Sequence, residues 1–438
     1  MKYKLFIFIS IGFLICNDTL AIVGTKIITK RDFLRRSEYT LRPDYCKSNN
    51  TIAKKIILNS LIAEKMLSLE NQESNLDIES INLINGIKEQ TMRRVMLEDK
   101  VTKNLTINNS DVLNLYENSL FEYEVNFITF DIESLNEIKS LIKKEKSLFD
   151  LALKTDILPA TKNLSFLNCD NLVVRDNLFS KKRFQGELVG PFNIKNTEYI
   201  LIEIIKTKKI LIIDEISQKN HFKEIEDIHI KSESKRIKKT HIHDIMNEKK
   251  LVFNKKTFLN LANSYFDKNE LKSINPNDIL FTLNDKKWKV EDLIELNKLN
   301  PILFRNSLNE KSDFYNQFKL AIVDMIQNYY LTEHSYKLNY ENNFFVKNEY
   351  NIWKDYILAN DKKEFILNNN KDLNIYLENL FDKYSEKIII DFDIFENVNL
   401  SNIDMIVINK NQPYQLNVPP FPRLTTKNNL DYGSKKES

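Results

Sequence analysis

An internal echo constrains this chain more than any other feature. The line Val23-Gly24-Thr25-Lys26-Ile27-Ile28-Thr29-Lys30-Arg31-Asp32-Phe33 returns as Leu283-Asn284-Asp285-Lys286-Lys287-Trp288-Lys289-Val290-Glu291-Asp292-Leu293, at an offset of 260 residues. Asp32 pairs with Asp292 and Phe33 with Leu293, and Asn284-Asp285 supplies turn chemistry where Gly24 stands. At an offset of 264, Leu58, Leu61, Ile62, Met66, Leu67 and Leu76 meet Ile322, Met325, Ile326, Tyr330, Leu331 and Tyr340. Gap-free matching at one offset exceeds what helical periodicity alone yields, so a duplicated helical unit is expected.

Each copy reads as a short hairpin, a short helix and two long helices. Thr29 is placed to cap the short helix with Asp32 three residues on. From Thr51 to Val101 two helices are expected to fold against each other. Ile52, Ile56, Ala63 and Leu67 recur at helical spacing, and Ile57, Leu58, Leu61, Ile62 and Met66 widen the apolar surface. A second helix starts near Ile78 behind an Asp77 cap, with Ile81, Ile84, Ile87, Met92, Val95 and Met96 on one face. Its counterpart runs from Phe345 to Ile357 with Ile352, Trp353, Tyr356 and Ile357 apolar.

Between the copies the texture changes. Tyr123, Val125, Phe127 and Thr129 share one face of a strand, with Ile128 and Phe130 nearby; a helical segment covers Leu135 to Leu153, a loop-rich stretch runs to Lys182, and Gly186 to Pro191 turns into a last strand, Glu198 to Ile204. Residues 205 to 250 mix charges of both signs and read as a solvated helix or linker. His241-Ile242-His243 lies there, but the two rings diverge on a helix and no third ligand has fixed spacing, so no metal is expected. Near the end, Tyr376 to Tyr384 reads as a helix, Lys387 to Phe392 as a strand and Asp393 to Leu400 as a short helix, before an extended tail carrying Pro413, Pro419, Pro420 and Pro422. The fold class is α+β, mostly helical, with an inserted small sheet flanked by helices.

At 438 residues several domains are the prior. The boundaries read here are 1–21, 22–118, 119–207, 208–280, 281–410 and 411–438. Lys and Arg total 64 against 61 Asp and Glu, leaving no field to draw a phosphate backbone, and six glycines cannot build a phosphate cradle. No nucleic acid, nucleotide or other cofactor is therefore expected. Lys2 and Lys4 precede the apolar run Leu5 to Ile15, and Thr19-Leu20-Ala21 offers small residues at a processing point after Ala21, so the reading is an exported chain without a membrane span once processed. Lipidation at Cys16 is the alternative, with bulky Ile15 against it. Cys46 and Cys169 are read as separate buried thiols.

The Val23 to Phe33 line, placed after an export signal and before paired helices, resembles the N-terminal region of SurA-type and PrsA-type exported foldases. The segment from Phe121 to Ile204 resembles a parvulin-type prolyl isomerase domain: Phe149-Asp150-Leu151-Ala152 is similar to the family's helix line and Gly186 to Pro191 to its turn. That resemblance implies a histidine in the first strand and another in the last. Here Phe127, or Asn126 in a shifted register, occupies the first position and Ile200 the second, while Asp156 is the one polar residue near the family's acidic or thiol position. Twisting an amide through its transition state needs a shaped apolar pocket and hydrogen bonds, and those histidines help build that network. A domain that keeps the fold and loses most of the activity is expected. The implied function is an ATP-independent periplasmic chaperone that holds unfolded exported or outer-membrane proteins. Phe121, Phe127 and Phe166 are candidate client contacts on the sheet domain, and Met66, Met92, Met96, Met325, Tyr329 and Tyr330 on the helices. An active isomerase that works without the histidines, and a structural or docking component of the envelope, remain open.

Overall fold

A computed structural model describes residues 18–47, 50–71, 76–144, 147–195, 197–266, 274–304, 311–401 and 418–432. The apolar run Leu5 to Ile15, Cys16 and Pro413 lie outside them. In chain order the elements are β1 (Thr19–Val23), β2 (Lys26–Thr29), α1 (Lys30–Glu38), α2 (Thr51–Leu69), α3 (Ile78–Asn104), α4 (Asn109–Ser119), β3 (Phe121–Asp131), α5 (Leu135–Ile142), α6 (Leu148–Thr155), β4 (Ala160–Leu164), α7 (Leu172–Leu178), β5 (Leu188–Lys195), β6 (Glu198–Lys209) and α8 (Glu215–Met246). There follow β7 (Leu251–Phe253), α9 (Lys255–Phe266), β8 (Ile279–Leu283), β9 (Lys286–Lys289), α10 (Val290–Leu299), α11 (Lys311–Lys337), α12 (Phe344–Asn368), α13 (Leu373–Tyr384), β10 (Ile388–Ile390) and α14 (Phe392–Glu396). The architecture is mixed, mostly helical, with small antiparallel sheets. Two compact units divide it: residues up to Leu97 with those from Ile242 onward, and Glu98–His241. The chain enters the second unit within α3 and leaves it within α8.

In the first unit the two hairpins stand in matching positions. Gly24 turns β1 into β2 at φ +60°, and Asn284 turns β8 into β9 at φ +52°, the left-handed region that glycine and asparagine tolerate best. Each hairpin gains a third antiparallel strand on its first member, giving the orders β10-β1-β2 and β7-β8-β9. Each then runs into a capped helix. Thr29 Oγ1 accepts from the Asp32 amide at 3.0 Å while Asp32 Oδ2 accepts from the Thr29 amide at 3.2 Å. In the second copy only the aspartate half survives, Asp292 Oδ2 accepting from the Lys289 amide at 2.7 Å, because a lysine side chain has no acceptor.

The long helices pair otherwise than the sequence implies. The main partner of α2 is α12, not α3. The α3 residues Met92 and Val95 pack with Val346 of α12, and Arg93 donates to Thr332 Oγ1 of α11 at 2.6 Å and to Asn300 Oδ1 at 2.9 Å. Two cores result. One gathers β1, β2, α1 and α2 with the end of α12, α13, β10 and the tail residues Phe421, Leu424 and Leu430; the other gathers α9, β8, β9, α10 and α11. The stretch expected as a charged linker thus ends in β7 and α9, which help build the second core. The processing point expected after Ala21 falls inside β1, where Leu20 and Ala21 are buried, so a cut there would split the strand.

The second unit is an antiparallel sheet in the order β4-β3-β6-β5. Successive side chains of β3 alternate between its faces. Tyr123 and Val125 join Phe166, Val174, Leu178 and Phe179 under α7, whereas Ile128 and Phe130 join Ile138, Leu148 and Leu151 of α5 and α6. Gly190, at φ +117°, lets β5 lie against β6: a Cβ there would stand 2.8 Å from the Ile200 carbonyl oxygen. Among the described residues no helix is long and apolar enough to cross a membrane.

Candidate peptide-binding surfaces

The sheet places Phe127 opposite Ile202 of β6 and Ala160 of β4, and Ile200 opposite Thr129 and Phe192. Phe127 and Ile200 are therefore diagonal neighbours on one face, which Phe192 and Ile194 also border. These four side chains are hydrocarbon and have no proton donor or acceptor; Ile200 is buried, Phe127 is half-buried, and the exposed Thr129 lies beside Ile200 on the same face. Asn126 points to the opposite face, where its Oδ1 accepts from Thr161 Oγ1 at 2.7 Å. Asp156 caps α6 in the left-handed conformation, φ +55°, and is exposed. Of the four positions read from the sequence, two are brought together and two are not.

Phe166 is core, held between the Phe179 edge at 5.5 Å and the Arg175 guanidinium at 5.1 Å. Phe121 is half-buried, stacks on Tyr123 with centroids 6.5 Å apart, and lies 5.1 Å under the Lys182 ammonium, which also sits 5.8 Å from the exposed Phe184 ring. Further apolar side chains stand in solvent on this unit. Phe149 and Leu153 are one turn apart on α6, Leu158 beyond it is 92% exposed and Ile213 is 91% exposed. The aliphatic run Ile210-Leu211-Ile212-Ile213, flanked by Lys208, Lys209, Asp214 and Glu215, is the sequence signal for this exposed patch.

In the first unit Met66, Met92, Met96 and Met325 are buried in the cores and present no contact surface, which corrects their assignment as client contacts. The apolar width of these helices exceeds one stripe because each is covered on more than one side, α2 chiefly by α12, α3 by Val346 of α12, and α11 by the core it shares with α9, β8, β9 and α10. Tyr329 and Tyr330 are half-buried. Tyr329 meets Trp288 edge-on at 5.2 Å and donates to Glu333 Oε1 at 2.7 Å; burial, with Glu333 beside it, pushes the phenol up to about 12. The Lys249 ammonium covers the Tyr330 ring at 4.9 Å.

A cavity of about 880 Å³ lies beside β10, with no local signal for it in the sequence. Its apolar lining is Ile388 and Ile389 of β10 with the stacked rings of Phe381 and Tyr432, 5.6 Å apart and 13° from parallel. Asp382, Glu386, Asp431 and Lys427 also border it. The tail wall is fixed to α2: the buried Asn59 amide donates to the carbonyls of Lys427 and Asn429, both at 2.8 Å, and Asn59 Oδ1 accepts from Tyr432 Oη at 2.6 Å. That wall could not be foreseen, since 368 residues separate Asn59 from Lys427.

No protein-family model matches this chain, and no curated protein matches it either.

Proposed function

We propose that the chain is an exported, ATP-independent folding helper that holds unfolded polypeptides, outer-membrane proteins among them, and that its sheet unit is a parvulin-like domain without isomerase chemistry. The observation that carries this reading is the pair Phe127 and Ile200, side by side on an apolar face at the positions where the resemblance calls for histidines. Neither side chain can polarise or protonate a twisting amide as an imidazole could. The element succession of the second unit, strand, two helices, strand, helix, turn and closing strand pair, agrees with the parvulin resemblance. The matched hairpins and capped helices of the first unit agree with two similar helical units. Exposed Phe149, Leu153, Leu158, Phe184 and Ile213 supply apolar contact to a polypeptide without reading one sequence. Burial of Leu20 and Ala21 favours processing ahead of Thr19 over a cut after Ala21.

Two assays on the whole protein test the proposal: isomerisation of a proline tetrapeptide and aggregation of an unfolded β-barrel client. No rate acceleration and suppression near equimolar ratio are expected, with suppression weakened when Phe149, Leu153 and Phe184 are replaced by serine. Acceleration would establish a working isomerase instead. Neither effect would leave the docking role.

A further inference from the structure

We infer that the outer edge of β10 is a strand-addition site, which takes an extended segment of an unfolded polypeptide that is aliphatic at alternate positions and carries a basic residue. This rests on the folding-helper reading and specifies how one client segment is held.

The backbone fixes which groups are offered. The Gly24 amide donates to the Lys387 carbonyl at 2.9 Å and the Asp391 amide donates to the Leu20 carbonyl at 3.0 Å. In an antiparallel ladder the residues that bond to one neighbour alternate with those that face away. Lys387, Ile389 and Asp391 therefore face β1, and Ile388 and Ile390 direct their N–H and C=O groups outward. Among the described residues no strand pairs with that side. An uncovered strand edge is complementary to one kind of ligand, another extended backbone.

The surroundings select which backbone. An added strand turns alternate side chains to opposite faces. One row would meet the stacked Phe381 and Tyr432 rings and the other the Ile389 side chain, which is 62% exposed. The row on the rings thus favours aliphatic residues, while the row beside Ile389 stays in solvent and accepts a β-branched polar residue such as threonine. Three carboxylates, Asp382, Glu386 and Asp431, line the cavity against the single ammonium of Lys427, so a lysine or arginine in the segment is favoured over an acid. The cavity lies within the roughly 300–1,000 Å³ range of pockets that enclose a ligand. Its tail wall, held by Asn59, needs no rearrangement to stand opposite β10.

The test uses the full chain and a fluorescein-labelled nonapeptide alternating valine and threonine with one central lysine. Controls are the same peptide with alternate backbone amides methylated and with glutamate for the lysine. Hydrogen exchange should show the Ile388 and Ile390 amides gaining protection with the parent peptide and none with the methylated one. Ile390→Pro, which removes one outward donor at an edge position where proline is tolerated, should weaken binding about five- to tenfold, the worth of one hydrogen bond. Circular dichroism checks that the variant folds, and the exchange result on the unsubstituted protein stands whether or not it does. The inference is overturned if the methylated peptide binds equally, or if binding leaves both amides unprotected. It is also overturned if they are protected without peptide, by a second copy where sedimentation shows a dimer, or by this chain's own segments where it shows a monomer. Client aggregation is followed in parallel. Suppression that persists without protection at β10 removes this site alone, whereas absence of suppression in the unsubstituted protein removes the folding-helper reading.

Discussion

Asp355 of α12 is almost wholly enclosed, and it accepts from two ammonium groups, Lys65 of α2 at 2.7 Å and Lys26 of β2. Burial pushes its carboxyl up, yet Lys65 and Lys26 outweigh that and hold it below the usual carboxylate range. The site follows from α2 being buried on nearly every side, which traps Lys65, Glu64 and Asn59 and obliges each to find a partner. Glu64 takes Arg36 through two bonds of 2.9 and 2.7 Å. Removing one member of such a set leaves an uncompensated charge indoors. Asp355→Ala should cost about 3–5 kcal/mol of the first unit's stability in urea unfolding. A loss below about 1 kcal/mol would show that water reaches Lys65. None of this pairing is legible in the sequence, because the 290 residues between Lys65 and Asp355 carry no local pattern that joins them.

At the scale of elements, what could be read is what local chemistry determines. The hairpin turns at Gly24 and Asn284, the Thr29 and Asp32 cap and the long helices all follow from turn, cap and period-3.6 signals within a few residues. Partner choice does not. An apolar face specifies that something must cover it but not which element, and α2 takes α12 rather than the adjacent α3, which buries the methionines. The tail illustrates the same limit. Its prolines signal an extended segment, whereas Phe421, Leu424 and Leu430 lie in the first core and Ser60 Oγ donates to the Thr425 carbonyl at 3.2 Å. Each such apolar side chain contributes about 1.5–3 kcal/mol when buried. Ending the chain after Ser401 should therefore lower the thermal midpoint of the first unit by about 10 °C or more and raise binding of an apolar dye. An unchanged midpoint would mean that the tail merely rests on α2.

Two units with separate cores should not melt as one, and pH distinguishes them. In the second unit His221 of α8 lies against Tyr116, centroids 5.6 Å apart, with Nε2 2.8 Å from Ser119 Oγ. Ser119 Oγ donates to the Tyr116 carbonyl at 2.7 Å, so the imidazole N–H donates to Ser119. Burial lowers the His221 pKa, with Glu224 opposing. The unfolded chain, with a histidine near 6.5, then binds a proton more readily than the folded one, and stability falls as pH drops through about 6.5 toward the lower folded value. Asp355 in the first unit behaves in a separate window. Its folded pKa lies below the unfolded value of about 3.9, so its contribution is complete above that pH and is lost only under stronger acid. Calorimetry should resolve two transitions, and the one assigned to the second unit should move down between pH 7.5 and 5.5. Replacing His221 with glutamine should flatten that shift while leaving the Asp355 contribution, tested by Asp355→Ala, undiminished over the same range. A second-unit transition that moves equally in both proteins would place the proton elsewhere. A single transition at every pH would mean that α3 and α8 couple the two units more tightly than their separate packing implies.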